Sequence, residues 1–189
     1  MMRWIYTSAL ALSLALLPTQ QTVAQEADSG WDAQRELIVL INSYRTSNGL
    51  PALRPKAVLQ SVAAQRSQDM GTRNYFAHEI PPDGHYFEVL LDTAGVRFAI
   101  AGENIARTNA PASESPHRVY NGFLNSPAHR ANLLEPGYTE LGVGVWRRPD
   151  GMEYYTTLFL QPTEVVAHGQ SDQDASLADS ESPLVVLAR

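Results

Sequence analysis

The feature that most constrains this chain is a set of three segments, far apart in sequence, that each hold one ionisable side chain among apolar neighbours. The ionisable residues are His78, Glu103 and His129. A buried ionisable group needs a partner, because its desolvation is costly. A fold that buries all three segments can meet this need by bringing them together. Two imidazoles and one carboxylate then form a set that suits a divalent metal ion or a polar ligand.

Each of these residues also has a purely structural interpretation. His78 stands just before a predicted turn and could cap the end of a helix. Glu103 could accept backbone N–H bonds, and it could also orient a histidine, as carboxylates beside metal-binding histidines do. His129 could complete the cap of a helix that Ser126 caps and Pro127 opens. The residues alone leave these alternatives open.

The predicted helix after Ser126 has a chemical consequence for His129. His129 stands near the third helical position, where the positive end of the helix dipole disfavours an imidazolium ion. A neutral imidazole is the form that binds metal. Ser126, three residues before His129, also permits a hydrolase hypothesis with Glu103 as the orienting group. Ser126 already has a predicted capping role, however, and no Gly-x-Ser-x-Gly nucleophile motif is present.

Hydrophobic periodicity predicts an alternation of helices and strands along the chain. The apolar spacing indicates helices near residues 32–48, 55–71 and 86–94, with two more starting near 115 and 127. It indicates strands at 96–101, 141–146 and 153–160, the first of which leads into Glu103. This mixture predicts an α+β domain.

The ends of the chain differ in composition from its middle. Residues 1–24 predict a signal peptide, with a positive start, an apolar stretch too short to span a bilayer and a small residue at the cut; an uncleaved N-terminal anchor is the alternative. Residues 25–32 are interpreted as a linker and 33–162 as the folded domain. Residues 163–189 predict an acidic, disordered tail, apart from an apolar end at 184–187 that could dock weakly.

The chain contains no cysteine, which matters for a protein predicted to be exported. Without disulfides, packing alone must hold the fold, and thiolate chemistry is excluded. The net charge of −6 does not suggest the basic surface that nucleic-acid binding needs, nor an attraction to anionic lipid.

A longer series of segments carries a family resemblance. It comprises residues 40–45, 50–53, the segment ending at His78, 102–104, 125–134 and 141–145. In order and spacing these resemble the CAP superfamily of cysteine-rich secretory, antigen 5 and pathogenesis-related proteins, also called SCP-like. The zero cysteine count points to the bacterial, disulfide-free branch.

The resemblance implies a three-layer α-β-α sandwich over residues 33–162, with His78, Glu103 and His129 in a central cleft. Many CAP proteins carry a second glutamate in this cleft. The corresponding position here is about Ser126, so a mechanism that needs paired carboxylates is in doubt.

The functional expectation follows from the family resemblance and from the predicted signal peptide. We expect a secreted or periplasmic protein that binds a lipid, glycan or protein in the cell envelope or extracellular space, without nucleic acid and without a transmembrane span once the leader is removed. The expected cofactor is a divalent metal, zinc first, held by His78 and His129 with Glu103 as a third candidate ligand. The alternative is a metal- or histidine-assisted hydrolase of a peptide or cell-wall substrate. Whether the protein is an enzyme stays open.

Overall fold

The computed structural model describes residues 19–163 and 184–185. Residues 1–18 of the predicted signal peptide and most of the predicted tail, 164–183 and 186–189, lie outside the described residues. The described residues form five helices and five strands, in chain order α1 (Thr19–Ser47), β1 (Arg54–Pro55), α2 (Ala57–Thr72), α3 (Glu88–Thr93), β2 (Phe98–Thr108), α4 (Ser115–Asn125), α5 (Pro127–Leu134), β3 (Glu140–Arg147), β4 (Glu153–Pro162) and β5 (Leu184–Val185).

The strands form one mixed sheet in the order β1-β3-β4-β2-β5. The central strands β3, β4 and β2 pair antiparallel, while the two-residue strands β1 and β5 pair parallel at the outside. Helices α1, α4 and α5 cover one face, and α2 and α3 cover the other. The α+β sandwich that the sequence and the resemblance predict is confirmed.

Side-chain alternation along β4 builds both hydrophobic layers. Tyr155 and Phe159 pack into the cluster under α1 and α4, whereas Leu158 and Leu160 pack into the cluster under α2 and α3. Successive strand residues point to opposite faces of a sheet. Because β4 is covered on both faces, all of its residues from Glu153 to Leu160 are buried, the polar Thr156 and Thr157 included.

Two glycines of β3 let α2 lie directly on the sheet. A Cβ atom added at Gly142 would come within 2.2 Å of the Leu59 carbonyl carbon, and one at Gly144 within 2.1 Å of the Ala63 carbonyl carbon. Both distances are impossible for real atoms. The small residues therefore fix how closely α2 approaches the sheet, and with it the position of Arg66, which lies one turn after Val62.

The structure changes some predicted boundaries. Strand β2 runs to Thr108, so Glu103 lies inside a strand rather than after one. Helix α1 begins at Thr19 and includes the residues assigned to the linker, while the site of leader cleavage stays a prediction. The pairing of β5 with Ile100 and Ala101 places an apolar piece of the predicted tail on the sheet. Within the described residues, no helix combines the length and apolarity that a bilayer crossing requires.

Candidate functional site

The centre of the site is a buried ion pair between α2 and β2. Glu103 Oε2 accepts a hydrogen bond from Arg66 Nε at 3.1 Å, and both side chains are 0% exposed. An unpaired carboxylate at this depth would be strongly destabilising. The guanidinium of Arg66 therefore explains how an acidic residue can occupy the interior of the sheet.

Arg66 uses its remaining donors to hold the segment that follows α2. The guanidinium donates to the hydroxyl of Tyr75 at 2.6 Å and to the backbone carbonyls of Ala77 and His78, the latter at 3.1 Å. This segment is therefore anchored to β2 through one side chain. The position of His78 consequently depends on α2, although His78 lies outside that helix.

Glu103 also binds His78 directly. His78 Nδ1 lies 2.9 Å from Glu103 Oε1, and the His78 side chain is 14% exposed. An ionised carboxylate only accepts hydrogen bonds, so the proton of a neutral His78 belongs on Nδ1. Nε2 then keeps its lone pair for a ligand or a metal ion. This is the orienting role that the sequence leaves open for Glu103.

Two buried asparagines attach the helix of His129 to β2. Asn104 Nδ2 donates to the backbone carbonyl of His129 at 3.0 Å, and Asn132 Nδ2 donates to Asn104 Oδ1 at 2.9 Å. Asn132 is 1% exposed, so this contact lies in the interior. Because Asn104 follows Glu103, the strand holds the two histidines from adjacent residues.

His129 occupies the third position of α5, as predicted, and packs against Phe123 with ring centroids 5.3 Å apart. Burial lowers the pKa of His129, and the nearby imidazole of His78 lowers it further. The two imidazoles are therefore electrostatic neighbours, and His129 favours the neutral form that can coordinate a ligand.

Ser126 departs from its predicted role. It is the N-cap residue of α5 by backbone conformation, but its hydroxyl makes no capping hydrogen bond. In the described structure, Ser126 and His129 form no hydrogen bond with each other, so the serine–histidine contact that a nucleophilic hydrolase needs is not formed.

The two histidines reach the site from opposite layers of the sandwich. Glu103 and Ile105 of β2 point toward α2, whereas Asn104 and Ala106 point toward α4 and α5. His78 accordingly meets the α2 side of β2, and His129 meets the other side. The site thus lies around β2 rather than on one face of the sheet.

A cavity of about 370 Å³ extends from His129 along β2 and α4. Its wall includes Phe76 from the segment after α2, Ile105–Thr108 from β2, and Arg118 and Phe123 from α4. We call this cavity the β2-edge groove. Its wall is mixed, because apolar side chains alternate with two arginines and one imidazole.

The donor atoms fit a metal ion only in part. Among the residues that the structure describes, no group of three or more histidine, aspartate and glutamate side chains is arranged to hold a metal ion. Both Glu103 oxygens are engaged, one by Arg66 and one by His78. Of the three candidate residues, the imidazole nitrogens of His78 and His129 are therefore the donors that remain for a metal ion.

A second carboxylate near the site was not predicted from the sequence. Glu88 in α3 has a buried Oε2 atom with no hydrogen-bond partner among the described residues. Burial raises the pKa of Glu88, and the negative charge of Glu103 raises it further. Glu88 therefore accepts a proton more readily than an exposed glutamate does.

Arg66 and Asn104 were also missed in the sequence analysis. The signal for Arg66 is its position between Ala63 and Met70, on the stripe of α2 that faces the sheet. A charged residue on an otherwise buried stripe needs a charged partner, and Glu103 is that partner. Asn104 has a weaker signal, since asparagine is uncommon inside strands.

A comparison with protein families identifies one that covers most of the folded region. The family described as the cysteine-rich secretory protein family, or CAP, matches residues 38–159. Two relatives come from Bacillus subtilis (strain 168), the uncharacterized protein YkwD and the uncharacterized membrane protein YlbC. They are 35% identical over 111 residues and 36% identical over 129 residues, or 59% and 68% of this chain. The aligned regions cover only 41% and 34% of the two relatives' own length.

Solved structures show the same architecture. An extracellular protein containing a SCP domain from Bacillus anthracis str. Ames superposes with a TM-score of 0.64 at 32% identity, covering 79% of this chain and 45% of that one. An outer surface protein from Borrelia burgdorferi superposes with a TM-score of 0.61 at 19% identity, covering 70% of this chain and 94% of that one. The second likeness supports the fold alone.

Proposed function

We propose that this chain, which belongs to the cysteine-rich secretory protein (CAP) family, is an exported binding module whose ligand docks between His78 and His129. One observation carries the proposal. The carboxylate of Glu103, held by Arg66, lies 2.9 Å from Nδ1 of His78, where it accepts a hydrogen bond from Nδ1–H and leaves Nε2 available. A buried ion pair used to orient one partly exposed imidazole is typical of a binding site, where side chains are positioned before the ligand arrives.

A divalent metal ion fits this arrangement as part of the ligand. His78 Nε2 and the neutral imidazole of His129 would hold the ion, and zinc suits two nitrogen donors. When bound, the ion would supply a Lewis-acidic centre for an oxygen or nitrogen atom of the ligand. Two protein donors make a weak and exchangeable site, so the ligand itself would complete the coordination.

Export supports a role in the cell envelope or the extracellular space. The chain starts with a predicted signal peptide, and the 32% identical Bacillus anthracis structure is of an extracellular protein. The proposed partner is therefore a molecule of that environment. The whole protein's partners are proposed from the domain alone, because this chain spans less than half of those relatives.

Zinc titration tests this site. Isothermal calorimetry near pH 7.5 should detect binding, and binding should fade near pH 5.5, because imidazole binds metal only when neutral and its ordinary pKa is about 6.5. His78→Ala and His129→Ala should each abolish the heat. His85→Ala is the matched control, since His85 is exposed and outside the site. Absence of binding to the wild type at any pH, or equal binding by the double His78→Ala, His129→Ala variant, would reject the metal.

The alternative function, hydrolysis of a peptide or cell-wall substrate, makes a different prediction. It requires turnover that disappears in His129→Ala, whereas a binding module shows tight binding without turnover. The missing contact between Ser126 and His129 in the described structure weighs against a serine nucleophile. Any hydrolysis would therefore use water activated by the metal or by a histidine.

A further inference from the structure

The β2-edge groove runs along the edge of a strand and not across its face. Four consecutive residues, Ile105–Thr108, line it. Successive strand residues point to opposite faces, so a cavity over one face would contact only alternate residues. Ile105 packs with Met70 in the α2 layer, whereas Ala106 packs against the cluster of the α1 and α4 layer. A cavity that reaches both kinds of residue must follow the strand edge.

The backbone of this edge has no partner in the described part of the chain. Strand β4 pairs with one side of β2 throughout, but β5 pairs with the other side only at Ile100 and Ala101. The carbonyl of Glu103 receives Asn132 Nδ2 at 3.4 Å. Beyond it, no described backbone or side-chain group bonds to the outer backbone of Ile105–Thr108. Unpaired strand edges are ready templates for another extended chain.

Two arginines flank this edge without carboxylate partners. Arg107 lies over the Phe76 ring, 5.0 Å from its centroid, and Arg118 projects from α4 on the other side of the groove. Neither guanidinium forms an ion pair within residues 32–163. The protein as a whole carries a net charge of −6. Two unpaired cations on one groove of an acidic protein favour an anionic ligand.

We infer that the β2-edge groove binds an extended peptide segment that carries acidic side chains and adds a strand to β2. This inference deepens the proposed function by naming the class of partner, and it rests on the binding role proposed above. The backbone of the peptide would pair with Ile105–Thr108, and its carboxylates would meet Arg107 and Arg118. Strand addition of this kind takes its affinity from main-chain bonds and its specificity from alternate side chains.

The unpaired backbone distinguishes a peptide from an amphiphilic acid such as a fatty acid. A fatty acid could satisfy the two guanidinium groups and the apolar wall of Phe76 and Phe123. It would leave the outer N–H and C=O groups of Ile105–Thr108 without partners. Such groups lose hydrogen-bonding free energy when a ligand displaces the water around them. A peptide satisfies the charges and the backbone together.

The placement of the two arginines also predicts the spacing of the acidic residues. Arg107 stands two residues after Ile105 and four after Glu103, so its side chain points to the same side of β2, toward α2. Arg118 lies on the α4 side. Alternate residues of the added strand point to opposite sides. Acidic residues at odd spacing, such as two adjacent ones, can meet both arginines, whereas residues spaced by two meet only one.

The test uses fluorescence anisotropy with the purified protein in a metal chelator. The probe is a blocked heptapeptide of Val and Thr with two adjacent Glu residues at its centre. Arg107→Gln and Arg118→Gln should each weaken binding about tenfold, because each removes one charge-assisted contact with the probe. The matched control is Arg130→Gln, which changes an exposed arginine of α5 that does not line the groove. A probe with its Glu residues spaced by two should lose affinity similarly.

Backbone pairing is tested by methylating the peptide nitrogens of the probe. Two probes are made, each methylated at alternate residues, so that each lacks the N–H donors along one edge of the peptide strand. The probe without donors on the edge that faces β2 should not bind, whereas the probe without donors on the other edge should bind as before. Equal binding by both methylated probes, or wild-type affinity in both arginine variants, overturns the inference. Displacement of the probe by dodecanoate but no effect of methylation would identify a fatty acid site instead. The chelator keeps this outcome separate from the zinc test, which uses no peptide.

Discussion

Two arginines are completely buried among the residues that the structure describes, and they have different roles. Arg45 in α1 and Arg66 in α2 are each 0% exposed. Arg45 donates only to backbone carbonyls, those of Pro51, Leu133, Glu135 and Tyr138, at 2.9–3.4 Å. Arg66 donates to carbonyls too, but also to the carboxylate of Glu103. The difference in acceptor separates a structural arginine from one that positions a functional residue.

Both arginines connect segments that are distant in sequence. Arg45 and Leu133 are 88 residues apart, and Arg66 and Glu103 are 37 apart. In a chain with no cysteine, a side chain with five donors can connect such segments without a covalent bond. Arg45 hydrogen-bonds to the end of α5 and to the connection that follows it. Arg66 hydrogen-bonds to the segment that contains His78.

The largest expected effect comes from removing Arg66. Arg66→Met leaves the charge of Glu103 buried without its partner, so we expect a loss of about 3–5 kcal/mol in the free energy of unfolding. Arg45→Met leaves only neutral carbonyls unsatisfied, so we expect a smaller loss of about 2–3 kcal/mol. Urea denaturation at pH 7 measures both. An equal or larger loss in Arg45→Met would contradict the distinction between the two arginines.

A smaller effect is expected when the carboxylate is neutralised as well. Adding Glu103→Gln to Arg66→Met removes the buried charge, so the double variant should recover at least about 1 kcal/mol relative to Arg66→Met alone. Adding Glu103→Gln to Arg45→Met should not recover stability, because those residues do not touch. Recovery in both backgrounds would show that Glu103 is strained for another reason.

The smallest expected effect concerns Glu88, the carboxyl with an unpaired buried oxygen. Burial raises the pKa of Glu88, so ionisation costs the native state stability that the unfolded chain does not lose. This cost is absent below the ordinary pKa of about 4.3 and complete once pH exceeds the raised value. Glu88→Gln should therefore stabilise the protein on the order of 1 kcal/mol at pH 7 and hardly at pH 4. A gain that is equal at both pH values would exclude ionisation as its cause.

The sequence predicts the fold of this protein better than it predicts the site. The helices α2, α4 and α5 and the strands β3 and β4 follow from periodicity, because each buries an apolar stripe or an alternating face. The length of β2 was underestimated, since Glu103 and Asn104 look incompatible with a buried strand until Arg66 and Asn132 are placed beside them. Strands β1 and β5 were missed because a strand of two residues is too short to show hydrophobic alternation.

Of the candidate site, the sequence identified His78, Glu103 and His129 but not Arg66 or Asn104. The three residues were grouped as ionisable side chains in apolar segments, and the resemblance implied one cleft for them. The choice between ligand and orienting group for Glu103 could not be made from sequence. That choice depends on which atoms Arg66 and His78 occupy, and these are contacts between separate elements. Likewise, the edge position of the groove depends on which residues β5 fails to cover.

In the proposed site, Glu103, held by Arg66, orients His78 with its free nitrogen toward the ligand. The ¹⁵N chemical shifts of the imidazole rings test this directly at about pH 8, where histidines are neutral. We expect that His78 carries its proton on Nδ1 and leaves Nε2 unprotonated, whereas the exposed His85 samples both tautomers. A proton found on Nε2 of His78 would mean that Glu103 does not orient the ring, and the proposed binding site would be contradicted.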